Sequence, residues 1–404
     1  MRMSRILLLL PTATYRAADF MAAAKSLGVE VVVGSEHPQA MAAMMGDTSV
    51  VVPIDDLEAA VEAICALHSR SRLDAVLAVD DRGIVAASEA SERLGLPHNP
   101  PEAVRATRDK AVMRALLAAA SIPQPAFVPV KAGVDPTVAA AEVGYPCVVK
   151  PVSLSASQGV IRAEDLSGLA AALKRVRALV GSDETLLVEG FVPGDEVAVE
   201  GILVAGALQI LAVFDKPDPL DGPYFEETIY VTPSRHPAQV LAAIERLVAD
   251  AAAAIGLREG PLHAEVRIGA AGDVRILEVA ARSIGGLCSR ALRFGAGISL
   301  EELILRHATG AGIGGLSREK GASGVMMLPI RSEGVLKSVT GLAEARRVEG
   351  VTGLEITIPV GRRVVPLPEG DRYLGFVFAR GERPAQVEAS LRAAEATLDV
   401  VIGS

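Results

Sequence analysis

The chain has 404 residues, 49 of them acidic and 40 basic, for a formal net charge of -9. Half of the residues are hydrophobic, 3% are aromatic and none is tryptophan. An acidic chain with so few rings offers neither the charge nor the stacking surface of a nucleic-acid binder. Its longest early aliphatic run, residues 6–10 before Pro11, is too short for a membrane span or a signal-peptide core. This length predicts two to three domains with sizeable cores. Cys65, Cys147 and Cys288 are scattered without metal or disulfide spacing. They suit a reducing compartment, and a cytoplasmic location is expected.

The first elements alternate. Residues 4–10 (SRILLLL) read as a buried strand and residues 15–27 as a helix. Strands at 29–34, 49–54 and 74–80 then interleave with helices at 56–69 and 83–94. This order predicts a doubly wound parallel α/β sheet. The first turn, PTATY, lacks G-x-G-x-x-G, so no dinucleotide fingerprint is present. Asp80 and Asp81 fall just past a strand's carboxyl end, where open α/β sheets bind ligands; a helix-capping acid pair is the alternative.

GLPHNPPE at 95–102 reads as a linker, and TRDKAVMRALLAAASIPQP as one capped helix after it. Lys110 lies in its first turn, where a cation opposes the helix dipole by ~0.3–1 kcal/mol. A bound anion would offset that, and a solvated lysine is the alternative. In YPCVVKPVSLSASQGV, residues 145–160, a strand ends at Lys150-Pro151 before a loop of small residues. Such a loop lets backbone N–H groups approach a phosphate, with the lysine neutralising charge. No Walker A loop is present. LLVEGFVPGDEVAVE at 186–200 reads as strand, Pro193-Gly194 turn, strand, interrupted by Glu189, Glu196 and Glu200; three carboxylates in a half-buried hairpin point to a role, a solvent-facing Glu200 being the alternative.

PLHAEVRIGAAGDVRILEVAARSIGG at 261–286 reads as a β-hairpin. A two-residue turn at Ala271-Gly272 would pair Ala270 with Asp273 and, in the same register, Glu265 with Glu278. Their Cβ atoms would then lie ~5 Å apart, an unfavourable pairing of like charges. A shared proton or a bound cation would relieve it; a shifted register with one glutamate solvated is the alternative. The tail from 320 to 404 reads as a small α+β unit.

The order and spacing of these pieces resemble the ATP-grasp superfamily of carboxylate-amine ligases over roughly residues 1–310. That resemblance implies an ATP-grasp fold: an N-terminal doubly wound domain (1–100), a two-part α+β ATP-binding domain (101–312) with a mobile lid at about 122–190, and a C-terminal α+β domain (313–404). It implies that Lys110 and Lys150 contact ATP phosphates beneath a lid loop at 153–159, with Ser153, Ser155, Ser157 and Gly159 around them. Glu189, Gly190, Phe191 and Val192 match the adenine-binding hinge, and Glu196 the ribose ligand. Glu265 and Glu278 match the pair that holds Mg2+, for which Mn2+ can substitute.

Many members carry Asn two residues after the second glutamate. Here Ala280 stands there, and LEVAARSIGG is instead similar to the bacterial L-amino acid ligases. In that subgroup Arg282 matches the arginine that stabilises the phosphorylated intermediate, followed by Gly285 and Gly286 at the substrate. The segment at 214–234 (FDKPDPLDGPYFEETIYVTPS) resembles the subgroup's substrate loop. Glu227 matches its glutamate, Tyr230 stands where the subgroup has histidine, and Asp81 is placed like a substrate-contacting acid. His236 is off the motif and reads as surface. Arg331 is within conceivable reach of the site, the alternative being a solvated loop arginine.

The resemblance implies amide formation through an acyl phosphate, between L-amino acids or related small carboxylates and amines, by a cytoplasmic homodimer with no nucleic-acid or membrane partner. A purine or cofactor ligase, a carboxyphosphate-forming carboxylase and a non-catalytic nucleotide-binding regulator are the alternatives.

Overall fold

The structure is a computed structural model and describes residues 3–12, 14–37 and 48–403. Strands β1 (Arg5–Leu9), β2 (Glu30–Ser35), β3 (Ser49–Val51) and β4 (Ala75–Ala78) form one parallel sheet, ordered β3-β2-β1-β4. Every side chain of β1 is buried, as a parallel strand covered on both faces requires. Leu7 and Leu9 pack against residues of α2 (Leu57–Arg70) and α3 (Ile84–Leu94). Ile6 and Leu8 pack towards α1 (Ala17–Leu27) and residues from the middle of the chain.

The expected linker is shorter than 95–102, and the single helix after it is two. Helix α4 (Pro101–Arg108) starts with proline in its first turn, and α5 (Lys110–Ala119) follows at once. Asp109 separates them because its side chain accepts from the N–H groups of Ala111 and Val112, the ordinary N-cap bond.

The lid is a separate antiparallel sheet. Its strands are β5 (Phe127–Val130), β6 (Cys147–Pro151), β7 (Ile161–Ala163) and β8 (Leu186–Gly190), ordered β5-β8-β6-β7. Helices α6 (Pro136–Val143) and α7 (Leu166–Val180) contribute to its core.

The stretch 186–200 is therefore not a hairpin. Strand β8 ends the lid, and β9 (Asp195–Val204) begins the central sheet with β10 (Ala207–Lys216) and β11 (Ile229–Thr232). The crossing passes Gly194, at φ 122°, where a Cβ would stand 2.1 Å from the Ile268 carbonyl oxygen. Only glycine fits so close an approach.

After α8 (Ala238–Ile255), strands β12 (Gly260–Ile268) and β13 (Val274–Ala280) complete one side of that sheet. Helix α9 (Leu300–Ala308) follows. The C-terminal segment contributes β14 (Ala322–Leu328), β15 (Gly334–Thr340), α10 (Leu342–Arg347), β16 (Val351–Ile356), β17 (Arg363–Val364), β18 (Gly375–Gly381), α11 (Pro384–Glu395) and β19 (Asp399–Gly403). It shares the central sheet, which runs β13-β12-β9-β10-β11-β14-β18-β16 over eight strands. Pairing β14 with β11 closes an edge that would otherwise present unpaired backbone groups. Strands β15, β17 and β19 form a further small sheet. Among the described residues no helix is long and apolar enough to cross a membrane.

Phe214, on β10, is fully buried in the cluster that joins the N-terminal domain to the central sheet. Phe214→Ala is expected to cost about 3–5 kcal/mol, seen as a lower midpoint in denaturant unfolding followed by circular dichroism.

Candidate active site

The hairpin β12–β13 does pair Glu265 with Glu278, but not through the expected turn. The strands close earlier, with Ile268 opposite Val274. The Gly269 N–H donates to the Asp273 carbonyl. A bulge between Glu265 and Val266 then restores the register of the glutamates. Two departures from a regular hairpin cancel at the position that matters.

Both carboxylates line a cavity of about 400 Å³. The lid, the central sheet, the N-terminal domain and the segment 371–373 all contribute to its wall. Asp81, Lys110, Lys150, Ser155, Ser157, Glu189, Gly190, Phe191, Val192, Glu196, Glu227, Tyr230, Arg282, Gly285 and Gly286 meet there. Ser153 and Gly159 do not. The Ser153 hydroxyl donates to Glu184. The Gly159 N–H donates to the Pro368 carbonyl at 2.8 Å, which docks the lid loop on the C-terminal segment. Within that loop Ala156 and Ser157 hold φ of 55° and 56°, sparsely populated for residues with a Cβ. Arg331 is also outside the cavity; it is exposed and pairs with Glu395. His236, half-buried 3.9 Å from Asp195, lies outside it too.

Lys110 is buried, not solvated. Its Nζ donates to the Leu154 carbonyl at 2.6 Å and stands 3.4 Å from Glu278. Lys150 Nζ lies 2.6 Å from Glu189, which also accepts from Arg114 at 2.5 Å. Burial alone would raise the Glu189 carboxyl. The two cations outweigh that and hold it at about 2. Arg282 forks onto both oxygens of Asp81 at 2.9 and 3.0 Å, and Arg108 reaches Asp81 at 3.2 Å. Against the cost of burial, these arginines hold the Asp81 carboxyl below its ordinary value.

The residue that the motifs did not reveal is Lys216. Its buried Nζ meets Glu196 at 2.6 Å, Glu265 at 3.1 Å and Glu227 in a short contact. Burial would lower the ammonium pKa; the three carboxylates outweigh it and raise it well above the ordinary value. Strand alternation carried the signal, since Lys216 shares a face with buried Phe214. One oxygen from each of Glu196, Glu227 and Glu265 lies within 4.8 Å of the others. Glu278 is not in that group, being opposite Glu265 and beside Lys110.

Glu227 is held by hydroxyl groups as well. Tyr230 donates to it at 2.5 Å, and the Tyr373 hydroxyl lies 3.5 Å away. Burial raises the Glu227 carboxyl above the ordinary range in spite of Lys216. Burial would raise the Glu265 carboxyl too, but Lys216 outweighs it and holds that carboxyl below the ordinary range. Of Glu227 and Glu265, Glu227 is the one disposed to take a proton.

Comparison with known proteins bears on this arrangement. The ATP-grasp domain family matches residues 143–291, the ATP-grasp N-terminal domain family residues 21–98, and the L-amino acid ligase C-terminal domain 2 family residues 326–403. The chain has the ATP-grasp fold. The L-amino acid ligase of Bacillus licheniformis superimposes with a TM-score of 0.87 at 24% identity, covering 100% of both chains. N5-carboxyaminoimidazole ribonucleotide synthetase of Thermotoga maritima gives 0.74 at 17% identity, covering 99% of this chain and 100% of that one. These likenesses show the ATP-grasp fold. Alanine–anticapsin ligase of Bacillus subtilis is 25% identical over 269 residues, 61% of this chain. The match spans 56% of that relative's length.

Glu189 makes the stability of the chain depend on pH. Its folded carboxyl lies below the unfolded value, so its stabilisation is present above pH ~4.3 and lost as pH falls towards about 2. Unfolding midpoints should fall through that window. Glu189→Gln should be less stable at pH 7 and show a shallower fall.

Proposed function

We propose that the chain is an ATP-dependent carboxylate-amine ligase that forms an amide bond, with L-amino acids or closely related molecules as acid and amine. The observation that carries this reading is the convergence of three groups in one cavity. Lys110 and Lys150 bracket the lid loop, Glu265 stands opposite Glu278, and Arg282 and Glu227 line the same cavity. The L-amino acid ligase type of the C-terminal domain supports the substrate class.

The donor set suits a hard cation. Glu265 and Glu278 stand opposite each other across β12–β13, and their charge is at present balanced by the ammonium groups of Lys216 and Lys110. Glu265 and Glu278 would hold Mg2+, or Mn2+ in its place, and the bound ion would supply neutralisation of phosphate charge. The chain's own groups do the remainder. The hinge at 189–192 would take adenine, Glu196 the ribose, and Lys110 and Lys150 the phosphates.

A carboxylate is a poor electrophile because amine attack must expel an oxide. In the proposed reaction a carboxylate oxygen attacks the γ-phosphorus, the bond to the bridging oxygen of ADP breaks, and an acyl phosphate forms. Arg282 steadies its negative charge. The amine then attacks the acyl carbon and phosphate leaves. The proton shed by the ammonium goes to Glu227, whose raised pKa suits a base. Tyr230 cannot replace the subgroup's histidine as an acceptor near neutral pH, since burial pushes its hydroxyl well above 10. It orients Glu227 instead. The docked lid excludes water, which would hydrolyse the acyl phosphate.

Phosphate release from MgATP should require two components across a matrix of paired L-amino acids, with formation of ADP and an amide mass. Bicarbonate-stimulated ATP hydrolysis without an amide would overturn the reading in favour of a carboxylase. Glu278→Gln should lower turnover by about 10²-fold or more while circular dichroism stays unchanged. Normal turnover would remove Glu278 from the proposed site.

A further inference from the structure

Glu200 does not face water. It is 1% exposed on β9, and one oxygen meets His263 Nδ1 at 2.5 Å. The other accepts the Ile284 backbone N–H at 3.0 Å. His263 is its direct neighbour across the β9–β12 ladder, so the sheet itself aims the first bond. The second leaves the sheet and reaches the loop after β13.

That loop carries the chemistry. Arg282 stands two residues before Ile284, and Gly285 and Gly286 directly follow it; all three line the cavity. The Ile284 side chain is buried in the core, so its backbone is the pivot between them. Gly286 sits at φ 60°, where a Cβ would stand 2.9 Å from the Phe376 ring. Next to the pivot, the Ser283 hydroxyl accepts from Arg16 at 2.8 Å. A buried carboxylate is tolerated only where its oxygens are bonded, and Glu200 uses one on the sheet and one on the loop.

We infer that Glu200 is a positioning residue: it fixes the 282–286 loop to the sheet through the Ile284 amide and so sets where Arg282 and the two glycines meet the substrate. That these residues meet substrate rests on the ligase reading. The anchoring itself is a property of the fold.

The inference separates reach from charge. In Glu200→Gln the side chain keeps its length and can still accept from Ile284 and donate to His263. In Glu200→Asp the charge stays, but the carboxylate retracts by one methylene and cannot hold both partners. Hydrogen exchange of the peptide spanning 281–287 should be faster in Glu200→Asp and unchanged in Glu200→Gln. With an amino acid pair found in the matrix, Glu200→Asp should lose about 10²-fold in kcat/KM for the amino acids. Its KM for ATP should stay within about twofold, since Glu200 bonds His263 and the Ile284 amide and none of the groups proposed to hold the nucleotide. Glu200→Gln should retain activity within about threefold.

Equal exchange in the two variants would overturn the inference, as would retained activity in Glu200→Asp with loss in Glu200→Gln. Faster exchange in Glu200→Asp alone, from a chain that makes no amide with any pair, would leave the anchor standing and reject the ligase reading.

Discussion

Charge burial is the constraint on which the rest of the structure depends. Strands β9, β10, β12 and β13 place Glu196, Glu200, Lys216, His263, Glu265 and Glu278 in or beneath one cavity. In a poorly hydrated site none of these charges is stable alone. Cross-strand pairing supplies the partners: Glu196 stands opposite both Lys216 and Arg267, and Glu200 opposite His263. Lys216 holds three carboxylates together, so removing it would leave like charges facing one another at short range. The same carboxylates that require balancing in the fold are those suited to bind cations in the proposed reaction.

The lid depends on this arrangement too. Lys150 belongs to the lid sheet, and its Nζ is held by Glu189 at the lid's end. Lys110 touches both the lid loop, through the Leu154 carbonyl, and Glu278 on the central sheet. Beyond the loop, Gln158 donates to the Glu369 carbonyl and Arg175 forks onto the Glu369 carboxylate. The segment that receives the lid continues directly into Asp371, Arg372 and Tyr373 at the cavity wall. A displaced lid would therefore disturb the proposed nucleotide and substrate sides together.

Much of this was legible in the sequence because the strands obey simple alternation. The β-α order of the first hundred residues led to the parallel sheet, and the two apolar runs at 261–280 led to the facing glutamates. The facing survived an incorrect turn because a bulge offset a different loop closure. Glu200 and Lys216 were misjudged or passed over for one reason. Each is a charged residue in an apolar strand, and charge alone suggests solvent. Parity argues otherwise: Glu200 shares a face with Glu196 and Ala198, and Lys216 with Phe214. The separation of β8 from β9 was not legible, since strand–turn–strand in sequence does not say whether two strands share a sheet. The C-terminal strands joined the central sheet for a similar reason, through long-range pairing of β14 with β11 that no local pattern encodes.

The central claim is activation of a carboxylate by phosphoryl transfer in this cavity, and isotope transfer tests it most directly. An acid substrate labelled with 18O in its carboxylate would be turned over with MgATP and its amine, and the released phosphate weighed. Attack of the carboxylate on the γ-phosphorus predicts one 18O in phosphate for each amide formed. Unlabelled phosphate accompanying the amide would contradict the account.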